Sequence, residues 1–134
     1  MILSAEEFVN LRRSDDPEEY ERAVSEEASE HVWIGVITNY PEMRVWVAEN
    51  KSVPLSILNI LSDDSDPNVR FAVASKRKLD RALFDKLSRD ESESVRQRIA
   101  YNNKTPTDIL RRLVLDSEAI VSNVAKSRLS GGGQ

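Results

Sequence analysis

The chain contains no cysteine, which excludes a disulfide scaffold, thiolate metal sites, iron–sulfur chemistry and a cysteine nucleophile. Its single histidine, His31, removes any histidine-rich metal centre and leaves triad chemistry resting on one ring. Three of the four glycines form the run Gly131-Gly132-Gly133, so no glycine-rich loop is available to cradle a phosphate. No apolar run approaches the roughly 18 residues that cross a bilayer. The start, Met1-Ile2-Leu3-Ser4-Ala5-Glu6-Glu7, turns acidic where a secretory signal runs from basic to apolar. The expectation is a cytoplasmic protein in a reducing compartment, with no membrane segment, no cofactor and no metal.

What is present is 134 residues, 40% hydrophobic and 31% charged, an ordinary composition for one globular domain that buries roughly 70% of its extended surface. The net charge of −4 is unevenly spread. Residues 1–30 carry ten acidic and three basic side chains, a net of −7, whereas residues 53–134 carry fourteen basic and eleven acidic ones, a net of +3. Whole-chain acidity is therefore a poor guide to a partner.

An internal repeat governs the chain. Met43-Arg44-Val45-Trp46-Val47-Ala48, Val69-Arg70-Phe71-Ala72-Val73-Ala74 and Val95-Arg96-Gln97-Arg98-Ile99-Ala100 follow one another at an offset of 26 residues without a gap. Ile57, Leu83 and Ile109 keep the same offset, as do Leu58, Phe84 and Leu110, then Leu61, Leu87 and Leu113, then Asp64, Asp90 and Asp116. Upstream, Val32, Trp33 and Val36 take the leucine columns, with Asn39 in the aspartate column. Downstream, a one-residue deletion sets Ile120 and Val124-Ala125 in the valine and Val-Ala columns. The gap-free alternative uses Val121 and puts Lys126 in the alanine column; the gapped register is the expectation.

Each unit reads as two short helices. In the first, A, apolar residues recur at i, i+1 and i+4 and make one helical face. Pro54 and Pro106 suit a first helical position, and Thr105-Pro106-Thr107-Asp108 suggests a start capped by Thr105. The second, B, follows an acidic turn such as Ser65-Asp66-Pro67 and ends at Asn50, Lys76 or Asn102. Helices of about ten residues are marginal alone, and stacked repeats bury them in a continuous core. Residues 1–28 form an acidic helical cap, with capping boxes at Ser4…Glu7 and Asp16-Pro17…Glu19 and apolar stripes of Phe8 and Leu11, then Tyr20, Ala23 and Val24. The predicted architecture is all-α, a single domain over 1–129 with repeats at 29–50, 51–76, 77–102 and 103–129, then a flexible tail at 130–134.

Asp66-Pro67-Asn68-Val69-Arg70-Phe71-Ala72-Val73-Ala74 and Thr105-Pro106-Thr107-Asp108-Ile109-Leu110-Arg111-Arg112-Leu113 resemble bacterial leucine-rich repeat variant proteins and short HEAT-like repeats over roughly residues 30–129. The resemblance implies a right-handed α-solenoid of about four repeats, mostly a binding scaffold, in which one helix of a unit can be a 3₁₀ turn. The cysteine-ligated iron–sulfur segment of some variant-repeat proteins is absent, and no motif of the HEAT-like DNA glycosylases carries over.

Numbering helix B from its leading apolar residue, positions 1, 5 and 6 (Val69, Val73 and Ala74) span about 140° and face the core. Positions 3, 4 and 7 point away: Val45, Trp46 and Glu49; Phe71, Ala72 and Ser75; Gln97, Arg98 and Tyr101; Ser122, Asn123 and Lys126. The resemblance places this face on the concave side, as one strip that runs from aromatic to basic. Trp, Tyr and Arg are enriched in binding hot spots, so Trp46, Phe71, Arg98 and Tyr101 are the expected anchors. Packing of Trp46 and Phe71 as peripheral core is the competing reading.

At position 2, Arg44, Arg70 and Arg96 border the core within reach of the aspartate column, and bidentate pairing that sets the repeat spacing accounts for them better than phosphate binding does. The A-to-B turns are acidic, and the B-to-A turns are basic, with Lys51, Lys76, Arg77, Lys78 and Lys104. Helix-end electrostatics explains part of that division; the rest is an edge that attracts an acidic protein or a phosphate backbone.

None of the nucleotide, zinc, calcium or hydrolase motifs occurs. The expected function is therefore a non-catalytic, monomeric protein-binding module. Its alternatives are an immunity protein that neutralises a toxin, nucleic-acid binding along the basic edge, and an enzyme whose groove uses Glu49, Arg98 and Tyr101.

Overall fold

The computed structural model describes residues 1–132, and every regular element among them is helical. Ten α-helices follow in order: α1 (Ala5–Arg13), α2 (Pro17–Ser25), α3 (Glu30–Asn39), α4 (Arg44–Glu49), α5 (Leu55–Leu61), α6 (Pro67–Ala74), α7 (Arg81–Ser88), α8 (Glu93–Tyr101), α9 (Thr107–Leu113) and α10 (Ala119–Ser127). A 3₁₀ turn, Pro41–Met43, leads into α4. None of these helices is long and apolar enough to cross a membrane. The chain divides into two compact units, Met1–Asp63 and Asp64–Gln134. The boundary falls inside the expected 51–76 repeat, in the turn after α5.

Helix starts follow local chemistry. Ser4 Oγ accepts the Glu7 N–H at 3.0 Å, and the Glu7 carboxylate accepts the Leu3 N–H at 2.7 Å, so the reciprocal bond falls one residue before the cap. Asp16, Asp66 and Asp80 cap α2, α6 and α7 by accepting the N–H groups of Glu18, Asn68 and Leu83. The boxed Glu19 instead accepts the Ser14 hydroxyl. Two expectations are corrected. Pro54 and Pro106 occupy N-cap positions, with extended backbone, and their carbonyls accept the first helical bonds from Ile57 and Leu58 and from Ile109 and Leu110. Thr105 caps no helix: its buried hydroxyl donates to the Ile99 carbonyl at 2.6 Å, where it joins the Asn102 N–H in the last turn of α8.

In the first unit α1 packs on α2 and α3, and α5 packs on α3 and α4. Its core holds Phe8, Val32, Trp33, Val36, Val47, Ala48, Ile57, Leu58 and Leu61. Trp33 meets Phe8 edge to face, with ring centroids 5.2 Å apart at 78°. Asn50, fully buried, donates through Nδ2 to the carbonyls of Ala23 (2.8 Å) and Glu26 (3.0 Å), and its Oδ1 accepts the Ser52 N–H. The end of α2 is thus tied to the end of α4.

In the second unit α6, α8 and α10 pack successively on one another, and α7 and α9 pack beside them. The repeat's columns are buried here: Val69, Val73 and Ala74; Leu83, Phe84 and Leu87; Val95, Ile99 and Ala100; Ile109, Leu110 and Leu113. Asn102 repeats the clamp of Asn50, donating to the carbonyls of Ala74 (2.9 Å) and Lys76 (2.7 Å). Arg128, 26 residues after Asn102, takes the same place with a longer side chain, and its Nη1 donates to the carbonyls of Ala100 (2.7 Å) and Asn102 (3.0 Å).

That clamp corrects the register of the last repeat. Val121 is fully buried while Ile120 is 45% exposed, so the gap-free alignment holds and the one-residue deletion does not occur. Ser122 then stands in the arginine column and is buried as Arg70 is. Lys126 stands in the alanine column but is exposed. Of the expected tail, residues 130–132 belong to a wide turn, Arg128–Gly132, that continues α10, with Gly131 at φ 146°, a conformation glycine adopts without steric cost. Residues 133 and 134 lie outside the described residues.

The arginine column ties one repeat to the next within the second unit. Arg70 Nε and Nη2 donate to Asp90 at 2.9 and 3.2 Å, and its Nη1 donates to the carbonyls of Asp64 and Ser65. Arg96 makes the same set to Asp116 and to the carbonyls of Asp90 and Glu91. Arg44, in the first unit, donates to the Ile37 carbonyl at 3.0 Å.

Four paired carboxylates give the chain an acid limb. Burial of Asp116 favours its neutral form, but hydrogen bonds from Arg96 and from the Glu118 N–H, with the Arg96 charge, outweigh it and hold the carboxyl below its ordinary value. Asp85 is also low, since bonds from Arg89 and Arg112 overcome desolvation, and Asp108 is held low by Arg81. Glu26 falls to about 2 through hydrogen bonds from Arg22 and the Met1 amino group. Each of these groups has a lower pKa folded than unfolded, so the unfolded chain binds more protons as pH falls through the carboxylate range, and stability falls with it. Glu118 runs the other way. A hydrogen bond and the charge of Glu93 raise its pKa, so its contribution is present at low pH and is lost as pH rises. Four groups oppose one, and thermal melts followed by circular dichroism should show Tm level near neutrality and falling below about pH 4.

Candidate functional site

The outward positions of the B helices carry a concave feature in each unit. In the first unit, α4 presents Trp46, half-buried, and Glu49, exposed, and α2 presents Tyr20, Glu21 and Val24. Between them comes Arg12 from the last turn of α1. Its Cζ lies 3.6 Å from the centre of the Trp46 ring and 4.6 Å from that of Tyr20, so the guanidinium stands against two aromatic rings. A cavity of about 330 Å³ is lined by Arg12, Tyr20, Glu21, Ala23, Val24, Trp46 and Glu49.

The ion pairs around this cavity are uneven. Arg13 pairs with Glu42, and Arg22 pairs with Glu7 and Glu26. Arg12 has no carboxylate within ion-pair distance among the described residues, and neither does Glu49 a cation. Glu21 accepts a hydrogen bond from the Ser25 hydroxyl at 2.5 Å. Trp46 and Glu49 were legible in the sequence as outward positions; Val45 beside them is half-buried. Arg12 and Tyr20 were not legible as site residues, because both come from helices that lack the Val-Arg motif. The one available signal was Tyr20 in the apolar stripe of α2.

In the second unit, Phe71 is 40% and Tyr101 55% exposed. Arg98 Nε donates to the Ser75 hydroxyl at 3.1 Å, while Ser75 donates to the Phe71 carbonyl and Gln97 donates to the Ile120 carbonyl. A cavity of about 260 Å³ is lined by Tyr101, Asn123, Val124, Ser127 and Arg128. In the gap-free register these α10 residues follow one outward face, so Val124 and Ser127 replace the expected Ser122 and Lys126. Ala72, at the same helical position as Trp46, is buried, because a single methyl does not clear its neighbours.

On the basic turns, Lys51 in the first unit and Arg77, Lys78 and Lys104 in the second are exposed, and Lys76 is half-buried. Glu49 belongs to the first unit, and Arg98 and Tyr101 belong to the second. No group of three metal-ligating side chains occurs among the described residues. His31 is exposed, with Nδ1 3.0 Å from the Ser29 hydroxyl. No protein-family model matches the chain, and no curated protein or solved structure does either.

Proposed function

We propose that the chain is a right-handed α-solenoid of four two-helix repeats behind an N-terminal helical pair, and that it binds another protein through the outward face of its B helices, as a non-catalytic, monomeric cytoplasmic module. The matching clamps of Asn50, Asn102 and Arg128 and the matching Arg70–Asp90 and Arg96–Asp116 pairs support the repeat. The clamp of Asn50 on α2 further suggests that α1 and α2 act as a first, degenerate hairpin.

The observation that carries the binding role is the stack of Arg12 on Trp46 and Tyr20 beside an open cavity. Aromatic and arginine side chains, partly exposed around a concavity, are the groups that anchor protein interfaces. The test is partner capture from the native cytosol by the full chain. Trp46→Ala is expected to reduce capture by at least about 30-fold, the loss of one hot-spot tryptophan. Replacing Lys76, Arg77, Lys78 and Lys104 together with glutamine is expected to leave capture intact. The reverse outcome, capture that ignores Trp46 and needs the lysines with a steep dependence on salt, would replace this reading with nucleic-acid binding along the basic edge.

A further inference from the structure

We propose that the cavity formed by α1, α2 and α4 receives a cationic side chain, an arginine or lysine carried on a basic segment of the partner. The inference rests on the groove reading above and adds the chemistry of the partner. The incoming cation takes the place of Arg12 against the Trp46 ring.

The space between the rings already accommodates a guanidinium. Arg12 Cζ sits 3.6 Å from the Trp46 centroid and 4.6 Å from the Tyr20 centroid, a geometry that attracts any planar or alkylated cation through the ring quadrupoles. Arg12 occupies it without an anionic partner, although residues 1–30 hold ten acidic side chains against three arginines. Its neighbours Arg13 and Arg22 both have carboxylates. Among the described residues, aromatic stacking is what holds Arg12, the interaction that a second cation reproduces.

Charge decides which ligand sign enters. Arg12 contributes one positive charge to the cavity, and Glu21 and Glu49 contribute two negative ones. The surrounding segment, residues 1–30, has a net of −7. A carboxylate or phosphate approaches against this field and a cation approaches with it. On arrival the cation finds Glu49, which has no cation within ion-pair distance among the described residues, and lays its stem along Ala23, Val24 and the Trp46 ring, as long basic side chains do on apolar surface. Arg12 competes for the same place as an intramolecular ligand and so weakens the affinity for the partner.

The test uses the full chain and four fluorescently labelled nine-residue Gly/Ser peptides, each with three identical substituents: Arg, Lys, Gln or Glu. Binding is read by anisotropy at low and physiological salt. The Arg and Lys peptides are expected to bind saturably and the Gln and Glu peptides not to. Trp46→Ala should weaken Arg-peptide binding by about fivefold or more and Glu49→Gln by about two- to fivefold, whereas Trp46→Phe, which keeps a ring, should retain most of it. Arg12→Met, which removes the competing cation, should tighten it by about threefold. Glu18→Gln alters an exposed carboxylate of α2 outside the cavity and should change little.

Three results would overturn the proposal: a Glu peptide that binds and depends on Arg12, an Arg12→Met variant that binds the Arg peptide more weakly, or equal losses from Glu18→Gln and Glu49→Gln. If the peptides fail while Trp46→Ala still abolishes partner capture, the cation falls and the groove reading stands. Capture indifferent to Trp46 removes both.

Discussion

Arg70→Ala is expected to destabilise the second unit by about 3–5 kcal/mol, the cost of leaving a buried charge without its partner. Arg70 and Asp90 are 8% and 7% exposed at the side chain, so water does not replace the lost bonds. The guanidinium makes four hydrogen bonds, two to the Asp90 carboxylate and two to carbonyls in the turn before α6. Removing it leaves the buried Asp90 charge with the Ser92 N–H but without its cation, and takes one donor from each carbonyl. A chain of 134 residues should lose roughly 10–15 °C in Tm, at a few degrees per kcal/mol for this size.

The sharper measurement is a cycle with Asp90→Asn. Asparagine keeps the acceptor for the Ser92 N–H but carries no charge, so the double variant Arg70→Ala, Asp90→Asn should recover more than half of the loss. Additive losses would mean that the two side chains act separately and would remove the pair as the device that spaces the repeats. Arg96→Ala should behave similarly with a smaller loss, because its pair with Asp116 is slightly more exposed, at 14% and 9%. These effects are best read by hydrogen exchange in residues 64–132, since two compact units need not unfold together.

Val121→Asp is expected to cost more than about 4 kcal/mol, while Ile120→Asp stays within about 0.5 kcal/mol. The two positions are adjacent, and the helix turns about 100° between them. Val121 is fully buried in α10, whereas Ile120 is 45% exposed. An aspartate at 121 places an unpaired charge among apolar side chains; at 120 it meets solvent, and the backbone carbonyl that accepts from Gln97 is untouched. Urea denaturation of the two variants reads the register directly. If Ile120→Asp proves the damaging change, α10 sits one residue back and the place of Arg128 in the asparagine column is lost with it.

The register of α10 also shows where the amino-acid pattern misleads. Val124-Ala125 matches the Val-Ala pairs of the earlier repeats, and that likeness favoured a deletion. The spacing is held elsewhere, by groups that a hydrophobic pattern does not weigh: Asp116 receiving Arg96, and Arg128 reaching the carbonyls of Ala100 and Asn102. Ala125 then fills a valine column, and Lys126 falls where an alanine would be. Thr105 misled for a similar reason. Its place before a proline reads as a cap, yet its hydroxyl serves a carbonyl of the preceding helix that no local rule reveals.

Much else was legible. The offset of 26 residues, the apolar columns, the Asp16 cap of α2 and the pairing of arginines with aspartates all follow from side-chain identity at fixed spacing, because each requires only local geometry or its repetition in neighbouring hairpins. The first cavity was half legible. Trp46 and Glu49 follow from the helical phase of α4, but Arg12 and Tyr20 belong to helices with no motif to align.

By itself, then, the order of amino acids determined an all-helical chain of short amphipathic segments, their phase and the polar pairs between successive segments, since these depend on periodicity and on chemistry repeated at one interval. Only the tertiary structure decided which helix end each buried amide or guanidinium clamps, which of Ile120 and Val121 enters the core, and that a guanidinium from α1 stands against the rings of α2 and α4. Those outcomes depend on how separate elements pack in three dimensions, where unsatisfied carbonyls and excluded volume outweigh local preference.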